Sequence, residues 1–359
     1  MPTPALRVLT LDGAGVKGIS ELFILQHLFD RVKKITGLSD IQPCDVFDLI
    51  AGSSTGGLNA IFLGRMVMSI EDAIKAYENV GKKLFVLSTT APSADNKAKH
   101  FLKKFAAGPS QSKSQALMEC MMGVLADRAP NGGGDLAARL CVEDKIEDEE
   151  YDDDHSWRVM LSVTRKATNE PDLLRNWRTG AAGQKNYSCA VWEAAGAVCA
   201  TPPYFPDHVR FEQHGDRLFG AGKDRANPIW EVLTEMKREK AFVNKSVACL
   251  VSVGAGKVQP SSLLSDNLKT AVEMMINAEE EAEKFAASKE GNDLIASGKY
   301  FRFNLPLNMQ ELALDECGED ENVKAVIDKY MQQPSNQKML EECAQRLAST
   351  VRVISGKVK

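Results

Sequence analysis

The chain has 359 residues, enough to bury a large core as one α/β domain or two average ones. With 44% hydrophobic and 26% charged residues it has the balance of an ordinary globular protein. A formal charge of −5 excludes a general basic face of the kind that displaces counterions from nucleic acid.

Eight cysteines (44, 120, 141, 189, 199, 249, 317 and 343) are scattered, with no C-x-x-C pair. That spacing argues against a metal site or a disulfide framework and leads us to expect a reducing, cytoplasmic setting. The first residues enter a strand without a signal-peptide pattern, and no apolar run is long enough to span a bilayer. Any membrane contact is therefore expected to be peripheral.

In chain order, Leu6 to Leu11 reads as a short buried strand, followed by Asp12 and the turn Gly13-Ala14-Gly15-Val16-Lys17-Gly18. A helix follows, with apolar positions 19, 22, 23, 25, 28, 29 and 32. After a loop over 37–43, Phe47 to Ala51 forms a second buried strand. It runs into Gly52-Ser53-Ser54-Thr55-Gly56 and then a helix with Leu58, Ile61 and Phe62 on one side. Ser69 caps a further helix whose first turn carries Glu71 and Asp72.

Residues 89–108 are polar and Lys-rich, and 114–126 predicts a Met-rich helix. From 147 to 154 seven of eight residues are acidic, the pattern of a solvated loop without EF-hand spacing. Strands are predicted at 157–164 and 247–253, a small-residue helix at 192–200 ended by Thr201-Pro202-Pro203, and a glycine-rich stretch at 218–228. A long helix at 268–287, a strand at 300–305 and helices near 321–331 and 337–349 complete the chain. Strands alternating with helices imply an α/β fold with a mainly parallel sheet, on which the last hundred residues pack.

A serine at the turn of a strand–G-x-S-x-G–helix unit is a nucleophile elbow. The chain bends so sharply there that only small residues fit two places before and after the serine, here Gly52 and Gly56. The turn at 13–18 matches G-x-G-x-x-G, but the next strand leads to Ser54 rather than to a ribose-binding acid, which argues against a dinucleotide site. Its amides suit an oxyanion hole instead. The histidines (27, 100, 155, 208 and 214) leave the last third of the chain empty of the late base that a Ser-His-Asp hydrolase needs. An aspartate base fits better.

The ordered set Asp12-Gly13-Ala14-Gly15-Val16-Lys17-Gly18, Gly52 to Gly56, Val191 to Ala195, Ala200 to Phe205, Asn227-Pro228 and Val251 to Gly256 resembles the patatin-like phospholipase family. Tyr300-Phe301-Arg302-Phe303-Asn304 is similar to an extension of its fungal-type members. The resemblance implies a three-layer α/β/α fold in a single domain over 1–359, with a core at about 5–256 and a C-terminal helical extension, 257–359, packed on it. It implies a lipid acyl hydrolase, a phospholipase A or acyl glycerolipid esterase, with no metal or organic cofactor. Ser54 would be the nucleophile, and the amides of Gly13, Ala14, Gly15 and Val16 would form the oxyanion hole. Gly18, Gly52 and Gly56 complete the motifs. The partner would be a lipid or membrane-surface substrate, approached through the 66–88 and 114–126 segments unless these are core. Nucleic acid is not expected as a partner.

The family's third signature, D-G-[AG]-x-x-x-N-N-P, is altered. Counting back from Asn227-Pro228, the place of the aspartate holds Gly220. Asp224 is the nearest substitute base, four residues that can span about 13 Å when extended; Asp216 ranks below it. The altered signature also motivates a second reading, a catalytically weak or inactive lipid-binding or effector module.

Overall fold

A computed structural model describes residues 5–13, 18–85, 110–127, 140, 158–201, 209–211, 216–258, 266–307, 320–350, 353–354 and 357–358. The main sheet is built on β1 (Leu6–Leu11), β2 (Leu49–Ser53), β3 (Arg158–Arg165), β4 (Pro171–Arg175), β5 (Val209–Phe211), β6 (Asp216–Gly220), β7 (Val247–Val253) and β9 (Tyr300–Phe303). Its order is β5-β6-β3-β2-β1-β7-β9, with β4 also pairing β3. The run β3-β2-β1-β7-β9 is parallel, while β4 and β6 meet β3 antiparallel. A short parallel pair, β8 (Lys257–Val258) with β10 (Pro306–Leu307), extends from the ends of β7 and β9.

Why the sheet sits between two helical layers can be read from its alternating side chains. Leu9, Leu11, Ile50, Val159, Leu161, Val163, Val251 and Val253 enter one buried cluster, and Leu6, Val8, Leu49, Ala51, Met160 and Leu250 enter another. Successive residues of a strand point to opposite faces, so both faces must be covered. The first face takes α1 (Ile19–Thr36), α3 (Ser54–Ala60), α4 (Ile70–Phe85), α5 (Ser110–Asp127), α6 (Val191–Cys199), α10 (Asp320–Met331) and α11 (Pro334–Thr350); the short α2 (Pro43–Val46) leads into β2. The second takes α7 (Ile229–Arg238), with Phe285 of α8 (Asp266–Ala287) and Leu294 of α9 (Lys289–Ala296). The expected α/β class and mainly parallel sheet are what the chain adopts.

The C-terminal residues join the same core. Strand β9 pairs with β7, and Leu340, Cys343, Ala344 and Leu347 of α11 lie in the cluster that holds Leu22, Leu25 and Phe29 of α1. Among the described side chains of the 66–88 and 114–126 segments, Ile70, Ala73, Ile74, Tyr77 and Val80, and Leu117, Cys120, Met121 and Leu125, are buried, whereas Val67 is exposed. Ser69 caps α4 as expected, its Oγ accepting the Asp72 N–H at 3.0 Å.

Several elements differ from the sequence reading. The helix after Ser54 changes to a π turn over Ile61–Arg65, with the Met66 N–H reaching the Ile61 carbonyl at 2.8 Å. The glycine-rich stretch at 218–228, given no element by the sequence, begins within strand β6, whose backbone pairs with Val163 to Arg165. Strands β4 and β5 and helices α7 and α9 also go beyond the expected set; the two strands are short, with too few residues for a visible alternation. The polar, Lys-rich stretch at 89–108 and the acidic run at 147–154 lie outside the described residues.

Candidate active site

Parallel pairing brings the two glycine motifs together. Leu11 is opposite Gly52 in the β1–β2 register and opposite Val253 in the β1–β7 register. The segments that follow β1, β2 and β7 therefore leave the sheet at one edge, the carboxyl ends of its strands, where open α/β sheets place ligands. Ser54 stands at this edge as the first residue of α3, after an extended Ser53.

Ser54 has φ of +48°, a left-handed conformation that a non-glycine residue adopts only when its surroundings enforce it. The enforcement is visible in the packing. A Cβ on Gly52 would lie 2.5 Å from the Gly57 nitrogen, and one on Gly56 would lie 2.5 Å from the Leu11 carbonyl oxygen. These two glycines permit the strand-to-helix bend against β1. Gly13 approaches as closely: a Cβ there would fall 2.8 Å from the Ser54 Cβ and 3.1 Å from the Met274 Cε. Ser54 itself is 4% exposed.

Both ends of the first glycine turn are anchored. At its start, Asp12 donates its N–H to the Val253 carbonyl at 3.1 Å and Gly13 donates to the Ala226 carbonyl at 2.7 Å. At its end, Asn59 Nδ2 donates to the Gly18 carbonyl and to Glu21 Oε2, each at 2.8 Å. Asn59 belongs to the helix that Ser54 opens, so that helix and the turn are tied directly. The Gly13 N–H, expected as one of the oxyanion donors, is already engaged by the Ala226 carbonyl. Ala14, Gly15 and Val16, and with them Lys17, lie outside the described residues.

The anchors form a polar nest in an apolar core. Asp12, Glu21 and Asn59 are all buried, and Asp12 Oδ1, Glu21 Oε1 and Asn59 Oδ1 have no partner among the described residues. Burial raises the Asp12 carboxyl to about 6, against the opposing charge and hydrogen bond of Arg302. Burial, reinforced by the Asp12 charge, also lifts the Glu21 carboxyl well above the usual range. Cys199 donates its thiol to the Ser54 carbonyl oxygen at 3.8 Å, and burial pushes its pKa up to about 12. It is a protonated, unreactive neighbour at neutral pH.

The candidate base positions come out as follows. Gly220 ends β6, and a Cβ there would meet the Val198 carbonyl oxygen at 2.5 Å and Thr201 Oγ at 2.7 Å, so this position faces the end of α6. The following loop does reach the site: Ser53 Oγ donates to the Arg225 carbonyl at 3.0 Å, next to the Ala226 contact with Gly13. Asp224 lies one residue before Arg225 in a 3-10 turn, and its side chain is exposed. Among the described residues no carboxylate is hydrogen-bonded to the Ser54 hydroxyl. Asp216 begins β6. Of the histidines, His27 pairs with Asp328 at 2.8 Å on the α1–α10 surface, while 100, 155, 208 and 214 lie outside the described residues.

Sequence reasoning did not single out Asn59, Glu21 or the pairing of Asp12 with Arg302. A lone amide within Leu58-Asn59-Ala60-Ile61 was the available signal, since a polar side chain in a buried run needs partners.

Comparison with known proteins adds independent findings. A family model described as patatin-like phospholipase matches residues 9–222, more than half of the chain. Calcium-independent phospholipase A2-gamma of Oryctolagus cuniculus is 25% identical over 321 residues, which cover 87% of the chain and 36% of that relative. Phospholipase A I of Arabidopsis thaliana is 25% identical over 392 residues, covering 97% and 28% respectively. Patatin-T5 of Solanum tuberosum is 33% identical over 98 residues, 25% of each protein. The chain thus spans about a third of the length of the first two relatives. The crystal structure of VipD from Legionella pneumophila aligns at a TM-score of 0.39 and 14% identity, covering 91% of this chain and 68% of that one, a likeness too distant to argue from.

Proposed function

The chain belongs to the patatin-like phospholipase family, and from that premise we propose that it is a serine lipid acyl hydrolase with Ser54 as nucleophile. The observation that carries the reading is the left-handed Ser54 at a strand-to-helix bend, with Gly13 packed against it. In the proposed reaction, Ser54 Oγ attacks the carbonyl carbon of a fatty-acyl ester and its proton passes to a base. Amides within 14–16 hold the negative oxygen of the tetrahedral intermediate. The ester C–O bond then breaks, the alcohol leaves with a proton, and water releases the fatty acid from the acyl-enzyme. Removal of one such amide donor typically costs about 3–4 kcal/mol in the barrier, so the placement of that turn matters as much as the serine.

Asp224 is the proposed base. The hydrogen bonds of Arg225 and Ala226 to Ser53 and Gly13 support it, since they hold its backbone beside the nucleophile; its exposed side chain would have to turn inward. The proposed substrates are phospholipids or related acyl glycerolipids met at a membrane surface, in a cytoplasmic setting. Among the described residues no helix is long and apolar enough to cross a membrane.

A second reading, a weak or inactive lipid-binding module, is favoured by glycine at position 220 together with the exposure of Asp224. Fluorophosphonate labelling with Ser54→Ala as control, followed by ester hydrolysis in wild type and Asp224→Ala, separates the two. The hydrolase reading expects labelling at Ser54, turnover, and loss of turnover in both variants. Labelling without turnover supports the module, and the absence of both overturns the hydrolase.

A further inference from the structure

Arg302 stands in β9, beyond the segment that matches the family model, yet it contacts the residue that precedes the first glycine turn. Its Nη2 donates to Asp12 Oδ2 at 2.6 Å and to Glu279 Oε2 at 3.0 Å, and its Nη1 donates to Ser252 Oγ at 2.9 Å. Glu279, on α8, accepts a further bond from Asn304 Nδ2 at 2.7 Å and pairs through Oε1 with Lys257 at 3.2 Å. Asn304 Oδ1 in turn accepts the Gly256 N–H at 2.9 Å. One guanidinium therefore joins the end of β1, the end of β7, α8 and its own strand. Helix α8 also carries Met274, whose methyl group lies against Gly13.

We propose that Arg302 is a positioning residue for the Ser54 site, holding Asp12 and through it the start of the glycine turn at a fixed distance from the nucleophile. The proposal rests on the hydrolase reading and extends the working site into the C-terminal part of the chain. The physical case is one of geometry. The planar fork satisfies three acceptors in different directions, which a lysine ammonium on a flexible stem does not reproduce. The backbone bonds of Asp12 and Gly13 tie the turn to β7 and to the 223–226 loop, Met274 packs α8 against Gly13, and the Arg302 side chain adds hydrogen bonds that link Asp12 to β9 and α8. A displacement of about 1 Å in a catalytic group can cost on the order of 100-fold in rate. The charged and titratable groups that face Asp12 are Arg302, Glu279, Glu21 and Tyr300.

The test uses the full chain as wild type, Arg302→Gln and Arg302→Lys. Four properties are read: fluorophosphonate labelling rate, kcat and KM on a water-soluble ester, the pH profile of kcat, and amide hydrogen exchange over residues 12–18. Arg302→Gln is expected to lower kcat and the labelling rate by about 10- to 100-fold, with KM within about twofold. Its acid limb is expected to move to higher pH, because Asp12 loses the cation that offsets its burial. Exchange over 12–18 is expected to speed up, and Arg302→Lys is expected not to restore wild-type values. Folded variants with unchanged exchange, pH profile and labelling overturn the proposal, as does a loss of melting temperature alone. If Arg302→Gln fails to fold, the same readouts on Arg302→Lys decide the matter. A wild type that does not label at Ser54 overturns the hydrolase reading instead, and the exchange experiment still tests whether Arg302 holds the turn.

Discussion

Gly220 donates its amide proton to the carbonyl of Ala200 at 2.8 Å, laying the end of β6 against the end of α6. The same approach leaves no volume for a side chain, since a Cβ would fall 2.5 Å from the Val198 carbonyl oxygen. Gly220→Asp is therefore expected not to create a working dyad and to cost about 1–3 kcal/mol by overpacking. Denaturant melts and ester hydrolysis on the purified variant check both parts. A stable Gly220→Asp protein with higher turnover would show that this strand end can retreat from α6.

Asn59 links the helix that Ser54 opens to the end of the glycine turn through the Gly18 carbonyl. Truncating it leaves that carbonyl and the Glu21 carboxyl without their donor. Asn59→Ala is expected to destabilise the protein by about 1–3 kcal/mol and to slow labelling of Ser54. A loss of stability with the labelling rate of the folded protein unchanged would mean that the turn needs no help from α3.

The buried carboxyls make stability depend on pH in a predictable direction. For Asp12 the folded value, about 6, lies above the ordinary 3.8, so the folded state keeps a proton that the unfolded chain releases. Its contribution therefore falls as pH rises through that window, and Glu21, raised for the same reason, acts in the same sense. Glu279 behaves oppositely: burial works to raise it, but Arg302, Asn304 and Lys257 together hold it below its usual value. Its contribution is present at neutral pH and lost as pH falls through the folded value. Carboxyl carbon NMR titration is expected to give a midpoint near 6 for Asp12 and a lowered one for Glu279. A midpoint near 4 for Asp12 would contradict the desolvation argument.

Arg175 and Glu235 provide a control far from this chemistry. They form a bidentate pair at 2.6 and 2.9 Å, almost fully buried, that joins β4 to α7 on the sheet face opposite α3. Glu235→Ala strands a guanidinium in the interior and is expected to cost about 3–5 kcal/mol. Labelling of the folded fraction should stay at the wild-type rate. A reduced rate would mean that the two faces of the sheet are coupled.

What was legible in the sequence was local. Alternating apolar strands and helices declared the α/β class, because each strand buries both faces within a run of a few residues. The elbow declared itself because its constraints fall within five residues, with Gly52 and Gly56 flanking Ser54. The short strands β4, β5 and β6 were hidden, since they exist by pairing with β3 or with one another rather than by their own pattern. The surroundings of the serine were decided by tertiary contact alone. Arg302 meets Asp12 across 290 positions of sequence, and no spacing rule reaches that far. Gly220 read as the empty seat of an aspartate, and only the packing of β6 on α6 shows that the seat itself has been filled by backbone. Local sterics and hydrophobic period are written in neighbouring residues, whereas a buried charge finds its partner only once the sheet has brought distant strands side by side.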